Sequence, residues 1–117
     1  MVRGKRQLWQ ERRERHQQRL EEEIGRLKEE LASLGAELVI LFGSAGRGEM
    51  RLGSDIDLLV VMESELDFVE RTAALYKALQ PRLDADILVY TPQEFVKMSQ
   101  TSPLIRRALA EGRKLIG

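Results

Sequence analysis

The sequence predicts an α/β fold in which helices pack on one side of a small mixed β-sheet, with a long helix at the N-terminus. Two observations lead to this prediction. A charged segment without proline carries apolar residues at helical spacing, and after it short apolar runs alternate with segments that carry helix-capping residues. The resulting order is helix, strand, strand, helix, strand, helix, helix, which is typical of an α/β domain. The 117 residues leave room for one domain with a modest core.

The N-terminal segment from about Lys5 to Leu34 predicts one long helix. It is dense in Arg, Glu and Gln, and Gly35 follows it as a candidate C′ cap. The same register further upstream holds Arg13 and then His16 or Gln17, so the apolar stripe fades and we expect that half to project, fray or pack on a partner. We therefore divide the chain into a charged helix, residues 1–34, and a domain of residues 35–117. The stripe recurs at spacings of four and three residues: Leu20, Ile24, Leu27, Leu31 and Leu34.

The segment after Gly35 predicts two strands and then a helix. Leu38–Phe42 and Ile56–Met62 are the short apolar runs that we interpret as strands. Ser64 is expected to begin the helix, because Asp67 follows in a box-like capping pattern. The apolar face of this helix is expected to consist of Leu66, Val69, Ala73, Tyr76 and Leu79.

The C-terminal third predicts a strand, two capped helices and a short last strand. Asp84–Tyr90 alternates as a strand does, and Thr91-Pro92-Gln93-Glu94 has an N-cap, a proline at N1 and a capping glutamate at N3. Ser102-Pro103 repeats the cap and proline before the helix Leu104–Ala110. Lys114–Ile116 is the candidate terminal strand.

The composition argues against several classes of function. Lys plus Arg and Asp plus Glu are balanced at 19 each, so no overall positive field draws in nucleic acid or a membrane surface. The chain contains no cysteine, which excludes disulfides, thiolate metal sites and a cysteine nucleophile. No apolar run approaches the length of a membrane span, and no signal-peptide pattern opens the sequence. We expect a soluble, cytoplasmic domain.

Two aspartates, Asp55 and Asp57, follow the pair Gly43-Ser44 after ten intervening residues. Residues i and i+2 of a strand share a face, so we expect both carboxylates to lie side by side at the start of a buried strand. Two like charges at that distance repel each other, and burial adds to the cost. A divalent cation such as Mg²⁺ relieves this repulsion and leaves coordination positions for substrate phosphates.

The glycine-rich turn before these aspartates supplies the groups for an anion. Gly43 lets the backbone approach a ligand closely, and the hydroxyl of Ser44 with successive turn N–H groups can form a phosphate-binding concavity. Arg47 lies in the same turn, where it could clamp a triphosphate or brace the loop against a carboxylate such as Glu49. Ser54 is expected to cap or orient the carboxylate of Asp55. A phosphate cradle beside paired carboxylates indicates metal-assisted nucleotidyl transfer.

A third carboxylate is expected, because metal-assisted phosphoryl chemistry must also handle the attacking nucleophile. The third predicted strand offers two candidates at i and i+2, Asp84 and Asp86. The residues alone leave open which of them completes the site. His16, the single histidine, is assigned to the charged helix far from these residues, as a solvated side chain.

The combination Gly43-Ser44, ten residues, then Asp55-Ile56-Asp57 resembles the signature of the polymerase-beta-like nucleotidyltransferases. The context Gly43-Ser44-Ala45-Gly46-Arg47-Gly48 and Ser54-Asp55-Ile56-Asp57-Leu58 is similar to the minimal branch of that superfamily, and the resemblance covers the chain from about Leu38 onward. It implies the polymerase-beta-like fold and transfer of a nucleoside monophosphate, AMP from ATP, to an acceptor hydroxyl with Mg²⁺ or Mn²⁺. It also implies that Asp55, Asp57 and Asp86 bind the metal, with Gly43, Ser44 and Arg47 binding the nucleotide.

The resemblance also implies a partner. Larger members of the superfamily carry a further domain for the acceptor, whereas minimal members are typically paired with a helical protein of the HEPN class in toxin–antitoxin systems. We therefore expect a HEPN-type partner or self-association through the N-terminal helix. The alternative is a nucleotide-binding module that neutralises a partner with little or no turnover.

Overall fold

The computed structural model describes residues 4–43 and 54–117. Four helices and four strands follow one another along these residues in the order α, β, β, α, β, α, α, β. The helices are α1 (Lys5–Ser33), α2 (Phe68–Leu79), α3 (Pro92–Thr101) and α4 (Pro103–Glu111). The strands are β1 (Leu38–Phe42), β2 (Ile56–Val61), β3 (Ala85–Tyr90) and β4 (Arg113–Ile116). The predicted order of elements is confirmed, including the short terminal strand.

The four strands form one mixed sheet in the order β3-β2-β1-β4. β1 is antiparallel to β2 and to β4, and β2 is parallel to β3. A parallel pair needs a crossover, and α2 provides it between β2 and β3. β2 lies at the centre of the sheet and is buried along its whole length, which explains why its sequence is almost continuously apolar.

The predicted packing of all helices on one side of the sheet is wrong, because both faces of the sheet are covered. Alternate residues of the strands divide into two cores. One core includes Leu27 and Leu31 of α1 and Leu75 of α2. The other core includes Ile105 and Ala108 of α4, with Phe95 of α3 packed against it. Since central strands are apolar on both faces, each face requires its own helices.

The caps of most helices follow the predictions. α1 ends at a left-handed Gly35 with φ of 92°, whose N–H donates to Ala32 O while the Ala36 N–H donates to Leu31 O, as in a Schellman motif. Thr91 and Glu94 form the expected capping box of α3, and Ser102 caps α4.

The start and the buried face of α2 differ from the predictions. Asp67, not Ser64, is the N-cap, and its side chain accepts a hydrogen bond from the Glu70 N–H. Val69 and Ala73, expected to be buried, are exposed, whereas Arg71 is buried. The reason is tertiary, because the two terminal nitrogens of the Arg71 guanidinium donate to partners from three segments of the chain, although its Nε has no partner within the described residues. The partners are the carbonyl oxygens of Leu66 and Val89 and the carboxylate of Glu94.

Helix α1 is much longer than the sheet that it covers. Its 29 residues span about 43 Å, whereas the six residues of β2 span about 20 Å. The buried residues of α1 all fall between Glu23 and Leu31, so the half before Leu20 extends past the sheet. This accounts for a longest dimension of 60 Å against 28 and 22 Å. Within the described residues, no helix combines the length and apolarity needed to cross a bilayer.

Candidate active site

Asp57 and Asp86 lie directly opposite each other on two neighbouring parallel strands. Each is the second residue of its strand, and the register of β2 and β3 pairs them. Alternation places both on the sheet face that α3 and α4 cover, since Leu59 of β2 belongs to that core and Leu88 packs against it. Neighbouring strands lie about 4.8 Å apart, so the fold brings two carboxylates together from segments 29 residues apart in sequence.

The carboxylate of Asp57 is buried, with 2% of the residue exposed. Its Oδ1 accepts a hydrogen bond from the hydroxyl of Ser54. Its Oδ2 has no hydrogen-bond partner within the described part of the chain, although water cannot reach it. A buried acceptor without a partner is costly, so Asp57 Oδ2 marks a position for a donor or a cation.

Ser54 connects the two strands at this point. Its hydroxyl contacts Asp57 Oδ1 and lies 3.4 Å from Asp86 Oδ2. A hydroxyl has one proton to donate, and the closer oxygen, on Asp57, receives it. The expectation that Ser54 orients Asp55 is therefore wrong, because its partner is the next aspartate along.

Asp55 lies just before β2, which begins at Ile56. Its N–H donates to the carbonyl oxygen of Asp84 at 2.9 Å, and this hydrogen bond ties the starts of β2 and β3 together. Its carboxylate oxygen Oδ1 lies 3.8 Å from Nε2 of His16 on α1. The expectation that His16 is far from the motif is wrong, because α1 extends past the sheet at the same end as the aspartates.

The three predicted metal ligands are thus not gathered equally. Asp57 and Asp86 face each other, while Asp55 approaches His16. Within residues 4–43 and 54–117, no group of three or more His, Asp or Glu side chains is arranged to hold a metal ion. The residues nevertheless fit a hard cation. Asp57 Oδ2 has no partner within the described residues, Asp86 lies opposite Asp57 in register, and carboxylate oxygens are the ligands that Mg²⁺ prefers.

Tyr76 of α2 holds the segment of β3 that carries Asp86. Its hydroxyl donates to Ala85 O at 2.9 Å and accepts from the Ile87 N–H at 2.8 Å. These are the backbone groups on either side of Asp86, at the outer edge of the sheet. Burial raises the pKa of the Tyr76 phenol, and the nearby carboxylates of Asp86, Asp84 and Asp57 raise it further.

A cavity of about 110 Å³ lies beside this site on the same face of the sheet. It lies between the end of β1, where Phe42 pairs with Asp57, and helix α4 with Arg107. Gly43 lines it with φ of 73°, a left-handed conformation that favours glycine. The predicted phosphate-binding residues Ser44 and Arg47 follow directly but lie outside the described residues, so their roles remain predictions.

Asp84 differs from Asp86 in its surroundings. Its backbone oxygen accepts from the N–H groups of Asp55 and Ile56, and its side chain is exposed, as is that of Asp86. Asp86 is the residue in register with Asp57. The geometry therefore places Asp86, rather than Asp84, next to the buried carboxylate.

Two residues near the site escaped the sequence patterns. Tyr76 was expected only as part of an apolar helix face, and His16 only as a solvated residue. A signal for His16 was present, since it continues the register of Leu20 and Ile24 on α1. What the sequence did not contain was the angle at which α1 crosses the sheet.

Comparison with known proteins gives a consistent result. The family model described as a nucleotidyltransferase domain matches residues 24–116. The crystal structure of a candidate nucleotidyltransferase from Sulfolobus solfataricus superimposes with a TM-score of 0.55 and 28% sequence identity, over 83% of this chain and 84% of that one. No curated protein is significantly similar to the chain. The family match includes every strand of the sheet and all the aspartates described above.

Proposed function

We propose that this chain, which belongs to the nucleotidyltransferase domain family, transfers AMP from ATP to an acceptor hydroxyl with the help of Mg²⁺ or Mn²⁺. Family membership supports nucleotide transfer as the general activity. The choice of ATP, the metal and the acceptor belongs to the proposal. One observation carries it, namely the buried and unpaired Asp57 Oδ2 opposite Asp86.

Asp57, Asp86 and Asp55 would hold the metal, with Asp57 as the ligand fixed most firmly. Ser54 fixes one oxygen of Asp57 and leaves the other without a partner in the described chain. When bound, the cation polarises the α-phosphoryl group and offsets the charge of the leaving pyrophosphate. Asp55 must turn from His16 to join the other two carboxylates, and its side chain, 36% exposed, is free to do so.

The transfer itself exchanges one bond for another. The acceptor oxygen forms a bond to the α-phosphorus, the bond from that phosphorus to the bridging oxygen breaks, and pyrophosphate leaves. The acceptor proton goes to a general base, and Asp86 is the candidate because it is an exposed carboxylate beside the buried one. Gly43, Ser44 and Arg47 are assigned to the triphosphate on the sequence motif.

The acceptor in this proposal is a hydroxyl group on a partner protein, of the HEPN type that minimal nucleotidyltransferases accompany. The support for this part is the resemblance of the motif to that branch. The nucleotide-binding module without turnover is the alternative, and it needs the same Asp57 site for binding.

The experiment is a calorimetric titration of ATP with and without Mg²⁺, using the wild type, Asp57→Asn and Asp84→Asn. We expect binding that needs Mg²⁺, is lost in Asp57→Asn and persists in Asp84→Asn. Asp84→Asn is the matched control, because it is the same chemical substitution at an exposed position on the neighbouring strand segment. Equal ATP affinity in the presence of a chelator, or in Asp57→Asn, would refute the proposed function.

A further inference from the structure

We propose that the projecting half of α1 is one wall of the active site, where His16 contacts the phosphates of the bound nucleotide and the Arg13–Trp9 pair stacks against its base. This inference rests on the proposed function, because it assigns a donor-nucleotide surface to the same site. It starts from residues that the motif does not include.

His16, Arg13 and Trp9 belong to one face of α1. Positions spaced four and three residues apart follow one face of a helix. Ile24, Leu27 and Leu31 of this face are buried in the core, and Leu20 packs against it. Toward the N-terminus, the same register continues with His16, Arg13 and Trp9. The face that packs on the sheet therefore becomes polar and aromatic at the point where the sheet ends.

The projecting half of α1 extends toward the end of the sheet that carries the aspartates. α1 ends next to β1, and the first residue of β1, Leu38, pairs with Val61 at the far end of β2. Going back along α1 therefore leads toward the edge of the sheet where β2 begins. α1 packs on the face opposite to Asp57 and Asp86, so it reaches the site around this edge, at Asp55. The 3.8 Å approach of His16 Nε2 to Asp55 Oδ1 fixes this placement.

Arg13 and Trp9 form an exposed pair on this surface. The guanidinium of Arg13 lies 5.5 Å from the centroid of the Trp9 ring, and Trp9 is 62% exposed. Tryptophan rings and arginine guanidinium planes both stack on nucleobases. Trp9 precedes His16 by seven residues, or about 10 Å along the helix axis. A nucleotide with its phosphates at the aspartates can reach that far with its base.

The charges around the site also favour this role for α1. A triphosphate that approaches Asp55, Asp57 and Asp86 meets three carboxylates. His16 Nε2 lies 3.8 Å from the carboxylate of Asp55, and Arg13 adds a positive charge to the same face of α1, which offsets part of that repulsion. An exposed His–Asp pair contributes little to stability, so binding explains this arrangement better than stabilisation does.

The experiment measures the affinity of a non-hydrolysable ATP analogue with Mg²⁺, which requires no acceptor. The variants are His16→Ala and Arg13→Ala, and the matched controls are Gln18→Ala and Arg15→Ala. The control positions lie on the opposite face of the same helix, at 3.6 residues per turn. We expect the first two variants to weaken binding by about tenfold or more, the loss of one hydrogen bond to a charged group. The controls should bind as the wild type does.

Two further readouts separate binding from a structural role. Trp9 is the single tryptophan of the chain, so its fluorescence should change when the analogue binds. His16→Gln, which keeps a hydrogen-bond donor, should recover part of the affinity lost in His16→Ala, while the melting temperature stays the same in both variants.

The failures of the two proposals are distinguishable. If the wild type binds the analogue in a way that depends on Asp57, but His16→Ala and Arg13→Ala bind as tightly, this inference is overturned and the proposed function stands. Binding losses that are as large in Arg15→Ala and Gln18→Ala also overturn it. If the wild type itself shows no Asp57-dependent binding, the proposed function fails and the inference falls with it.

Discussion

Ser54 fixes the orientation of the Asp57 carboxylate by a hydrogen bond. Its hydroxyl donates to one carboxylate oxygen of Asp57, and the other oxygen has no partner within the described residues. In the proposed function, this second oxygen binds the metal. Ser54 is nearly buried, with 9% exposed, so no water replaces it easily. Groups that orient a metal-binding carboxylate in this way act on the metal without touching it.

Substituting Ser54 by alanine tests that role. We expect Ser54→Ala to weaken Mg²⁺-dependent ATP binding by about tenfold or more, because Asp57 loses the hydrogen bond that fixes its orientation. Ser54→Thr keeps the hydroxyl and should bind more tightly than Ser54→Ala. Calorimetry on the two variants checks this, and equal affinities would show that the hydroxyl has no such role.

At the scale of elements, two buried charges connect helices to distant backbone. Glu23 of α1 accepts from the side chain of Arg26 and from the backbone N–H of Arg82, just before β3. Arg71 of α2 donates to the carbonyl of Val89 and to Glu94 at the start of α3. Each residue therefore fixes a helix relative to β3, the strand that carries Asp86.

The surroundings of Glu23 predict that the free energy of unfolding decreases in acid. Its hydrogen bond with Arg26 lowers the pKa of the carboxyl below its ordinary value of 4.5, against the opposing effect of burial, and the Arg82 N–H adds to the lowering. Because the folded pKa is depressed, the stabilisation is present above the ordinary value and is lost as the pH falls through the folded one.

Urea unfolding between about pH 7 and about pH 3 measures this effect. We expect Glu23→Gln to be less stable than the wild type by about 1–3 kcal/mol at neutral pH, with the difference shrinking in acid. Glu22→Gln, an exposed neighbour on the same helix, should follow the wild type. A constant difference across the pH range would contradict the assignment.

Arg71→Met tests the second connection. The substitution leaves the carbonyl oxygens of Leu66 and Val89 without this donor, so we expect a loss of about 2–3 kcal/mol in the free energy of unfolding. Arg107→Met is the control, since Arg107 pairs with Glu111 on an exposed helix surface and such pairs contribute about 1 kcal/mol or less. Chemical denaturation of both variants provides the comparison, and losses of similar size would refute the role of Arg71.

Local signals in the sequence predicted the elements but not how they pack. The strands β1 and β3 and the caps at Gly35, Thr91 and Ser102 depend on neighbouring residues only, and they were found. The pairing of Arg71 with Glu94, the burial of Glu23 and the helices on both faces depend on residues far apart in sequence. Among the candidate site residues, the sequence predicted Asp55, Asp57 and Asp86, and their roles remain predictions. The approach of His16 to Asp55 depends on the length and direction of α1, which local patterns do not contain.

At the scale of the whole molecule, we expect the projecting half of α1 to be dispensable for folding. The residues of α1 that pack on the sheet begin at Leu20, and those before it bury little surface. We therefore expect a variant that lacks residues 2–15 to fold, with a melting temperature within a few degrees of the full chain. It should bind Mg²⁺–ATP more weakly and lose any assembly that α1 mediates.

Thermal unfolding, analogue titration and sedimentation of the shortened chain check these three expectations. An unfolded product would show that the projecting half belongs to the core. A folded product with unchanged affinity and unchanged assembly would show that this half is a solvated extension.

The central claim is that the Asp57 site transfers the α-phosphoryl group of ATP. The most direct measurement follows ATP labelled on the α- or the γ-phosphate, incubated with Mg²⁺, the chain and a candidate partner protein. We predict that the α-label becomes bound to the partner while the γ-label appears in pyrophosphate, and that Asp57→Asn abolishes both changes while Asp84→Asn retains them. Transfer of the γ-label in place of the α-label, or transfer that survives in Asp57→Asn, would contradict this account.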